Sequence, residues 1–221
     1  MKKRLLSRII VLFALLVGHQ FVFANTIVAL GVQDFADGTT PTTGDFLAAG
    51  AGEPTPFNGV FSGSDTTGPN FSTSWTFSFG ALSNITGGNL VLGIYDHESA
   101  ATGDQVSSFT LNGIDLTSAL NTVFESQGGA RSEDNVYTLA LPSSTFAALA
   151  TGSVTFALSL QGPGLGLFGN TDFNGAALDF STLDIATQQN PPPPVPVPVP
   201  ATSVLFLLGI SALIAARRKM A

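Results

Sequence analysis

Polar and hydrophobic residues alternate with a period of two through the middle of the chain. The clearest run is 71–79 (FSTSWTFSF), in which aromatic residues and one threonine alternate with serines and a second threonine. This period is typical of a half-buried β-strand with one face toward water. The same criterion predicts further strands at 89–95, 106–111, 136–141, 153–160 and 176–185.

Turn residues separate these strands. They are Gly87-Gly88, Asn112-Gly113, Gly128-Gly129 and Gly162-Pro163-Gly164, which supply positive or fixed φ values at the junctions. One short helix is predicted at 143–150, with a serine at its start and a glycine after its end. No strand alternates with a long amphipathic helix. The pattern therefore predicts an all-β domain over 25–190, an antiparallel β-sandwich or jelly roll with one short connector helix.

The first 24 residues have the layout of a secretory signal peptide. Four basic residues precede the apolar run 9–17, and small-residue spacing at 22–24 follows it. Nine apolar residues are too few for a bilayer core, which needs about 20 helical residues. A retained membrane anchor is the alternative. We expect secretion and cleavage after Ala24.

Residues 191–221 form a second terminal unit. Seven of the ten residues at 191–200 are proline, which predicts a stiff polyproline II stalk of about 3.1 Å per residue. The apolar run 201–216 follows, long enough for a helix of about 24 Å, which is a marginal transmembrane span. Arg217, Arg218 and Lys219 come next and are expected to stay cytoplasmic. A buried amphipathic helix is the alternative for 201–216.

The junction of stalk and apolar run carries a recognisable motif. It consists of Val197, Pro198, Val199, Pro200, Ala201 and Thr202. With the apolar run and basic end, it resembles the PEP-CTERM sorting signal of Gram-negative bacteria, also labelled an ice-binding-protein C-terminal domain. The resemblance implies general secretion, recognition by an exosortase (a membrane transpeptidase-like enzyme), and delivery to the cell surface or the exopolysaccharide matrix. The family's glutamate between the two prolines is Val199 here, so VPVPAT is a variant signal.

Charge is distributed very unevenly along the chain. Seven of the eight basic residues lie in the two terminal segments, so the body holds Arg131 and all fifteen acidic residues. A body with a formal charge of −14 excludes the phosphate-neutralising surface that nucleic-acid binding requires. The absence of cysteine excludes disulfides and thiolate chemistry. We expect a domain with this negative charge to associate with acidic exopolysaccharide only through divalent cations.

Two groups of oxygen ligands point to calcium as a possible cofactor. Asn170, Asp172 and Asn174 stand at alternate positions before a glycine, as at the start of an EF-hand loop, although Ser181 occupies the twelfth position, where a glutamate is needed. The second group is Asp96, Glu98 and Asp104, which border one loop. For both groups the alternative is a solvated acidic turn.

Catalytic patterns are weak. His97, the single histidine of the body, is expected to be exposed in a loop, with its pKa raised by neighbouring carboxylates. It has no accompanying Gly-x-Ser-x-Gly motif. The Gly-x-Gly-x-x-Gly pattern at 164–169 is expected to be a loop between two strands, because no helix pattern follows it. We therefore do not expect an enzyme.

Sugar binding would use aromatic platforms, for which Trp75, Tyr95 and Tyr137 are available. All three fall in strand patterns, which favours packing in the core. The sequence thus predicts an exported, non-enzymatic β-sandwich protein of the surface or matrix. A lectin-like carbohydrate-binding module is the alternative, and a polysaccharide hydrolase is a third and weaker hypothesis.

Overall fold

The computed structural model of the chain describes residues 22–166 and 168–189. The predicted stalk and sorting tail lie outside these residues, as does the predicted signal peptide except for its last three residues. Within the described part, none of the helices combines the length and the apolar character needed to cross a membrane.

The described chain is mostly antiparallel β-structure with short helices. In chain order the strands are β1 (Val22–Gly31), β2 (Ser72–Ser78), β3 (Ile85–Tyr95), β4 (Val106–Leu111), β5 (Ile114–Asp115), β6 (Asp134–Ala140), β7 (Ser153–Leu160), β8 (Gly164–Gly166), β9 (Gly169–Thr171) and β10 (Ala177–Gln189). The helices are α1 (Thr43–Ala49), α2 (Thr117–Gln127) and α3 (Phe146–Leu149), and a 3-10 turn at Ser143–Thr145 precedes α3.

Eight of the strands form two four-stranded sheets. The first sheet has the order β1-β10-β3-β6 and the second has the order β2-β7-β4-β5, while β8 and β9 pair as a separate ribbon. Every pair of neighbouring strands is antiparallel. The two sheets contribute to one hydrophobic core, which is a β-sandwich-like arrangement.

Aromatic rings from three strands of the second sheet build the centre of this core. Trp75 of β2 and Phe156 of β7 are paired in register, and their rings stack with centroids 5.8 Å apart. Phe109 of β4 also stacks on Phe156, at 5.7 Å, and its ring centroid lies 6.5 Å from that of Trp75. The alternating serines and threonines of β2 lie on the more exposed face. The period-two pattern therefore separates core from solvent, as the sequence predicted.

The other face of the first sheet is covered by the chain between β1 and β2. Phe46 of α1 stacks on Tyr95 of β3 with ring centroids 4.5 Å apart. The Thr42 hydroxyl caps this helix by accepting a hydrogen bond from the Asp45 amide at 3.1 Å. A second, smaller hydrophobic cluster results, separate from the core between the sheets.

The hydrophobic periodicity of the sequence predicts the strands of this fold better than its helices. All six predicted strands are confirmed, and so is the short helical stretch near 143–150. The prediction of a single connector helix was wrong, because α1 and α2 are also present. The α2 sequence is rich in Ser, Thr and Asn, which have modest helix propensity, so tertiary burial of Leu120 and Phe124 outweighs a weak local preference.

We predict that Phe156→Ala lowers the free energy of unfolding by about 3–5 kcal/mol, because it deletes a fully buried ring that stacks on two aromatic neighbours. Phe168→Ala is the matched control, since this ring is fully exposed, and it should change stability by no more than about 0.5 kcal/mol. Urea unfolding of the full chain measures both values. Equal losses in the two variants would contradict the assigned core.

Candidate functional site

Three carboxylates from two separate loops converge beside the end of β3. Asp96 and Glu98 lie in the loop between β3 and β4, and Asp65 lies between α1 and β2. One oxygen of each carboxylate lies within 4.8 Å of the oxygens offered by the other two. Asp65, Asp96 and Glu98 are called the carboxylate cluster below.

Backbone pairing brings Asp65 to this place. Ser62 forms an antiparallel bridge with Ala176, next to the start of β10, and the following residue, Ala177, pairs with Tyr95 at the end of β3. The Gly175 amide then donates a hydrogen bond to Asp65 Oδ1 at 2.7 Å. The chain between β1 and β2 is thus aligned with the end of the first sheet. The loop that carries Asp96 and Glu98 begins at the same place.

The loop after β3 has an unusual backbone. Asp96 and Glu98 both have left-handed conformations, with φ of 60° and 59°. This region is unfavourable for a non-glycine side chain and persists where surrounding contacts enforce it. Such contacts are present: the Asp96 amide donates to the Glu133 carbonyl at 2.9 Å, and the Ser132 amide donates to Asp96 Oδ1.

Glu98 is the deepest member of the cluster. Glu98 is 0% exposed to solvent, and its Oε2 accepts a hydrogen bond from the Leu165 amide of β8. Its Oε1 is buried without any hydrogen-bond partner. Gly164 permits this close approach, because a Cβ there would lie 2.6 Å from Glu98 Oε2. Glu98 therefore presents one bound and one unpartnered oxygen.

A second unpartnered oxygen belongs to Asn174, which is also 0% exposed. Its Nδ2 donates to the carbonyl of His97, the residue between Asp96 and Glu98, at 2.6 Å. Its backbone amide donates to Asn70 Oδ1 at 2.8 Å, whereas its own Oδ1 has no partner. Unpartnered oxygens are thus found both within the carboxylate cluster and on a residue bonded to its loop.

Burial and mutual repulsion act together on the cluster. Burial, together with repulsion from Asp65 and Asp96, raises the pKa of Glu98 to about 8, against the lowering effects of the Leu165 amide and of Arg131. Burial likewise raises the pKa of Asp96 and of Asp65. Arg131 is the one lysine or arginine among residues 22–189. The protein supplies too little positive charge to stabilise three ionised carboxylates.

The donor set fits a hard divalent cation. All the converging ligands are oxygens, and carboxylate and amide oxygens are the ligands that calcium and magnesium prefer. Buried Glu98 Oε1 lacks a partner that a cation would provide. Asp65 and Asp96 are only half-buried, so the outer side of the cluster is open to solvent and to further ligands.

The structure brings together two of the three residues of the first predicted calcium group and does not assemble the second. Asp96 and Glu98 meet as predicted, but Asp104 is exposed and lines a groove with Asn121 and Glu125 of α2. Asp65 takes the third place. Sequence reasoning missed it because the Ser62–Ala176 bridge that places it joins residues more than a hundred positions apart.

The second predicted group does not form one ligand set. Asn170 is exposed in β9, where it pairs with Leu165 of β8, and Asp172 is exposed as well. Asn174 is instead fully buried against the His97 carbonyl. The glycine pattern at 164–169 was predicted to be a loop between two strands, but Gly164–Gly166 and Gly169 belong to the paired strands β8 and β9.

The prediction that His97 is an exposed loop residue with a raised pKa was wrong. Its ring is 0% exposed and packs edge-on against Phe124 of α2, a helix that the sequence pattern did not predict. Burial lowers its pKa to about 3. Because the Tyr137 hydroxyl donates to the Gly128 carbonyl, His97 Nε2 must donate to that hydroxyl, at 2.8 Å. The neutral imidazole thus serves packing.

The three aromatic residues considered for sugar binding lie in the hydrophobic interior. Trp75 is 4% exposed, Tyr95 is 0% exposed and Tyr137 is 1% exposed. Their predicted role in packing is confirmed. They cannot offer an aromatic platform to a sugar unless the fold opens.

Comparison with known proteins gives distant structural similarity only. No protein-family model matches the chain, and no curated protein sequence matches it significantly. Among solved structures, dimeric latent PorU from Porphyromonas gingivalis matches at 15% identity and a TM-score of 0.33. The match covers 79% of this chain and 14% of the PorU chain. A likeness of this size carries no inference about fold or function.

Proposed function

We propose that the chain is an exported, non-enzymatic protein of the bacterial surface or exopolysaccharide matrix, with a β-sandwich domain that binds calcium at Asp65, Asp96 and Glu98. One observation carries the calcium assignment: Glu98 is fully buried, and one of its oxygens has no partner although two other carboxylates lie beside it. A buried carboxylate in such surroundings is costly unless a cation compensates it.

Export and sorting are supported by the terminal sequences. The basic, apolar and small-residue parts of 1–24 are typical of a signal peptide, and 197–221 resembles a PEP-CTERM signal. Cleavage after Ala24 is compatible with the described sheet, because the remaining part of β1, from Asn25 to Gly31, still pairs with β10 along its length. The implied partner is an exosortase-like enzyme.

Calcium would also explain how a polyanion associates with an acidic polymer. The body carries one basic residue against fifteen acidic ones and repels anionic polysaccharide. Glu98 would hold a bound ion from the buried side, while half-buried Asp65 and Asp96 leave the other side accessible. Calcium takes six to eight oxygen ligands, so polymer carboxylates can complete its coordination.

Calcium binding by the full chain tests the site. After chelation and dialysis, isothermal titration calorimetry should show that Glu98→Gln weakens calcium binding more than about tenfold, because it removes one ligand charge. Asp104→Asn is the matched control, an acid from the same loop outside the cluster, and should retain the wild-type affinity. Equal affinity in wild type and Glu98→Gln would refute the assigned site.

Association with polysaccharide tests the role. We expect the full chain to co-sediment with the acidic exopolysaccharide of its own cells in calcium, and to lose this association in chelator or on Glu98→Gln. Binding that persists in chelator would count against a calcium bridge. Selective, chelator-resistant binding to one neutral glycan would instead favour the lectin-like module, and polysaccharide turnover would favour the hydrolase.

Processing of the C-terminal tail tests the proposed sorting route. In a Gram-negative host with an exosortase, mass spectrometry of the mature protein should show loss of the chain beyond the 197–202 motif. Replacing Arg217, Arg218 and Lys219 by alanine should leave the tail attached, whereas Arg131→Ala, the matched removal of a basic residue from the body, should not. A mature surface protein with an intact C-terminus would refute this sorting route.

A further inference from the structure

A groove of about 340 Å³ lies on the first sheet, at the end where β3 starts. The carboxylate cluster follows the opposite end of the same strand. Asn89 lines the groove and Tyr95 immediately precedes the cluster loop, and these residues are six positions apart, or about 20 Å at about 3.3 Å per residue. The groove is therefore separate from the site described above.

Strand pairing brings three residues of the groove side by side. Asp184 of β10 pairs with Asn89 of β3, and Asn89 pairs in turn with Ala140 of β6. Successive side chains of a strand point to opposite faces of the sheet. These three side chains therefore point away from the core, because the residues next to them on their strands belong to it, namely Leu183, Leu90 and Leu139.

Small residues leave space above the sheet at this place. Gly87 pairs with Ala186, and both line the groove together with Ala140. A Cβ added at Gly87 would meet only the Ala186 Cβ within 4 Å, at 3.8 Å. The floor of the groove is therefore low, while longer side chains stand around it.

Polar groups with unused hydrogen-bonding capacity surround this floor. Asp184 Oδ1 is buried without a partner, and Asp184 Oδ2 accepts a hydrogen bond from Asn25 Nδ2 at the long distance of 3.5 Å. The Asn89 side chain is exposed, and its amide offers both donors and an acceptor. The Thr86 hydroxyl donates to the Ala186 carbonyl at 3.3 Å, so its oxygen is left to accept.

The groove also has an apolar side, to which Phe146 and Leu141 contribute. Phe146 begins α3 and packs against the core between the sheets, but it is only half-buried. Part of its surface thus remains available to a ligand. A carboxylate, amides and a hydroxyl on one side and an aromatic residue on the other are the mixture typical of small-molecule sites.

We propose that this groove binds a neutral sugar residue of a polysaccharide, with Asp184 and Asn89 hydrogen-bonded to its hydroxyl groups and Phe146 packed against its C–H groups. The combination of an under-bonded acceptor with an apolar surface carries the inference. A sugar ring has hydroxyl groups around its edge and C–H groups on its faces, so it can use both sides of the groove.

The charge of the groove favours a neutral ligand. Asp184 is the one charged residue among the described residues that line it. Its carboxylate repels uronic acids and phosphates, and no basic side chain of the lining compensates this repulsion. A divalent cation would need further carboxylate oxygens, which the lining does not supply.

The proposal does not depend on calcium. The groove shares no residue with the carboxylate cluster, and cleavage after Ala24 would leave all of its lining residues in the mature chain. Sugar binding here would give the domain a lectin-like property in addition to calcium binding. The neutral residues of a polymer would then contact the groove, whereas its acidic residues would contact the ion.

Glycan binding in the presence of EDTA tests the groove, because the chelator removes any contribution of calcium. The full chain should bind neutral oligosaccharides on a glycan array. Isothermal titration calorimetry with the strongest neutral oligosaccharide should show about a tenfold or greater loss of affinity in Asp184→Asn, because a charged acceptor is lost. Asp172→Asn is the matched control, an exposed aspartate outside the groove, and should keep the wild-type affinity.

Gly87→Val tests the shape of the groove without removing any polar group. Valine suits a strand and its Cβ has room, so the circular dichroism spectrum should not change, but the side chain should fill the floor and abolish sugar binding. Thr138→Val, on the exposed face of β6 outside the groove, should bind like the wild type.

Three results would overturn the proposal: an array without neutral hits, hits confined to amino sugars or uronic acids, and neutral binding that Asp184→Asn and Gly87→Val both leave unchanged. Calcium affinity, measured separately, reports on the carboxylate cluster alone. Failure of the groove and failure of the calcium site are therefore distinguishable.

Discussion

Burial of carboxylates without basic partners is the constraint around which this molecule is organised. Fifteen acids share one arginine in the body, and three of the acids, Glu98, Asp134 and Asp179, are almost completely removed from water. The free energy for such burial must come from elsewhere in the fold. The aromatic core between the sheets supplies it, while backbone amides satisfy only some of the carboxylate oxygens.

The carboxylate cluster joins two parts of the architecture. It combines Asp96 and Glu98, which follow β3, with Asp65 from the long segment between β1 and β2. This segment has one short helix and no named strand, so little regular hydrogen bonding holds it. A cation at the cluster would add a contact between this segment and the loop after β3.

The sequence predicts the strands well because burial on one face imposes period two, as in β2, where Trp75 and Phe77 alternate with exposed residues. It also places Asp96 and Glu98 in one loop, since both follow the same strand. It could not supply Asp65 or Asp134, whose neighbours arise from bridges between distant segments. His97 was misplaced for the same reason: its burial depends on α2, which only tertiary packing reveals.

Buried carboxylates and surface charge together favour a binding role for the domain. His97 is neutral and engaged by Tyr137, and the large aromatics pack in the interior, so neither offers chemistry at the surface. The described chain instead contains carboxylate oxygens that lack hydrogen-bond partners, at Glu98 and at Asp134. Oxygen ligands arranged in this way select for hard cations. Under the proposed function, the acidity of the domain would serve to bind an ion at the carboxylate cluster and to connect the domain to other polyanions through it.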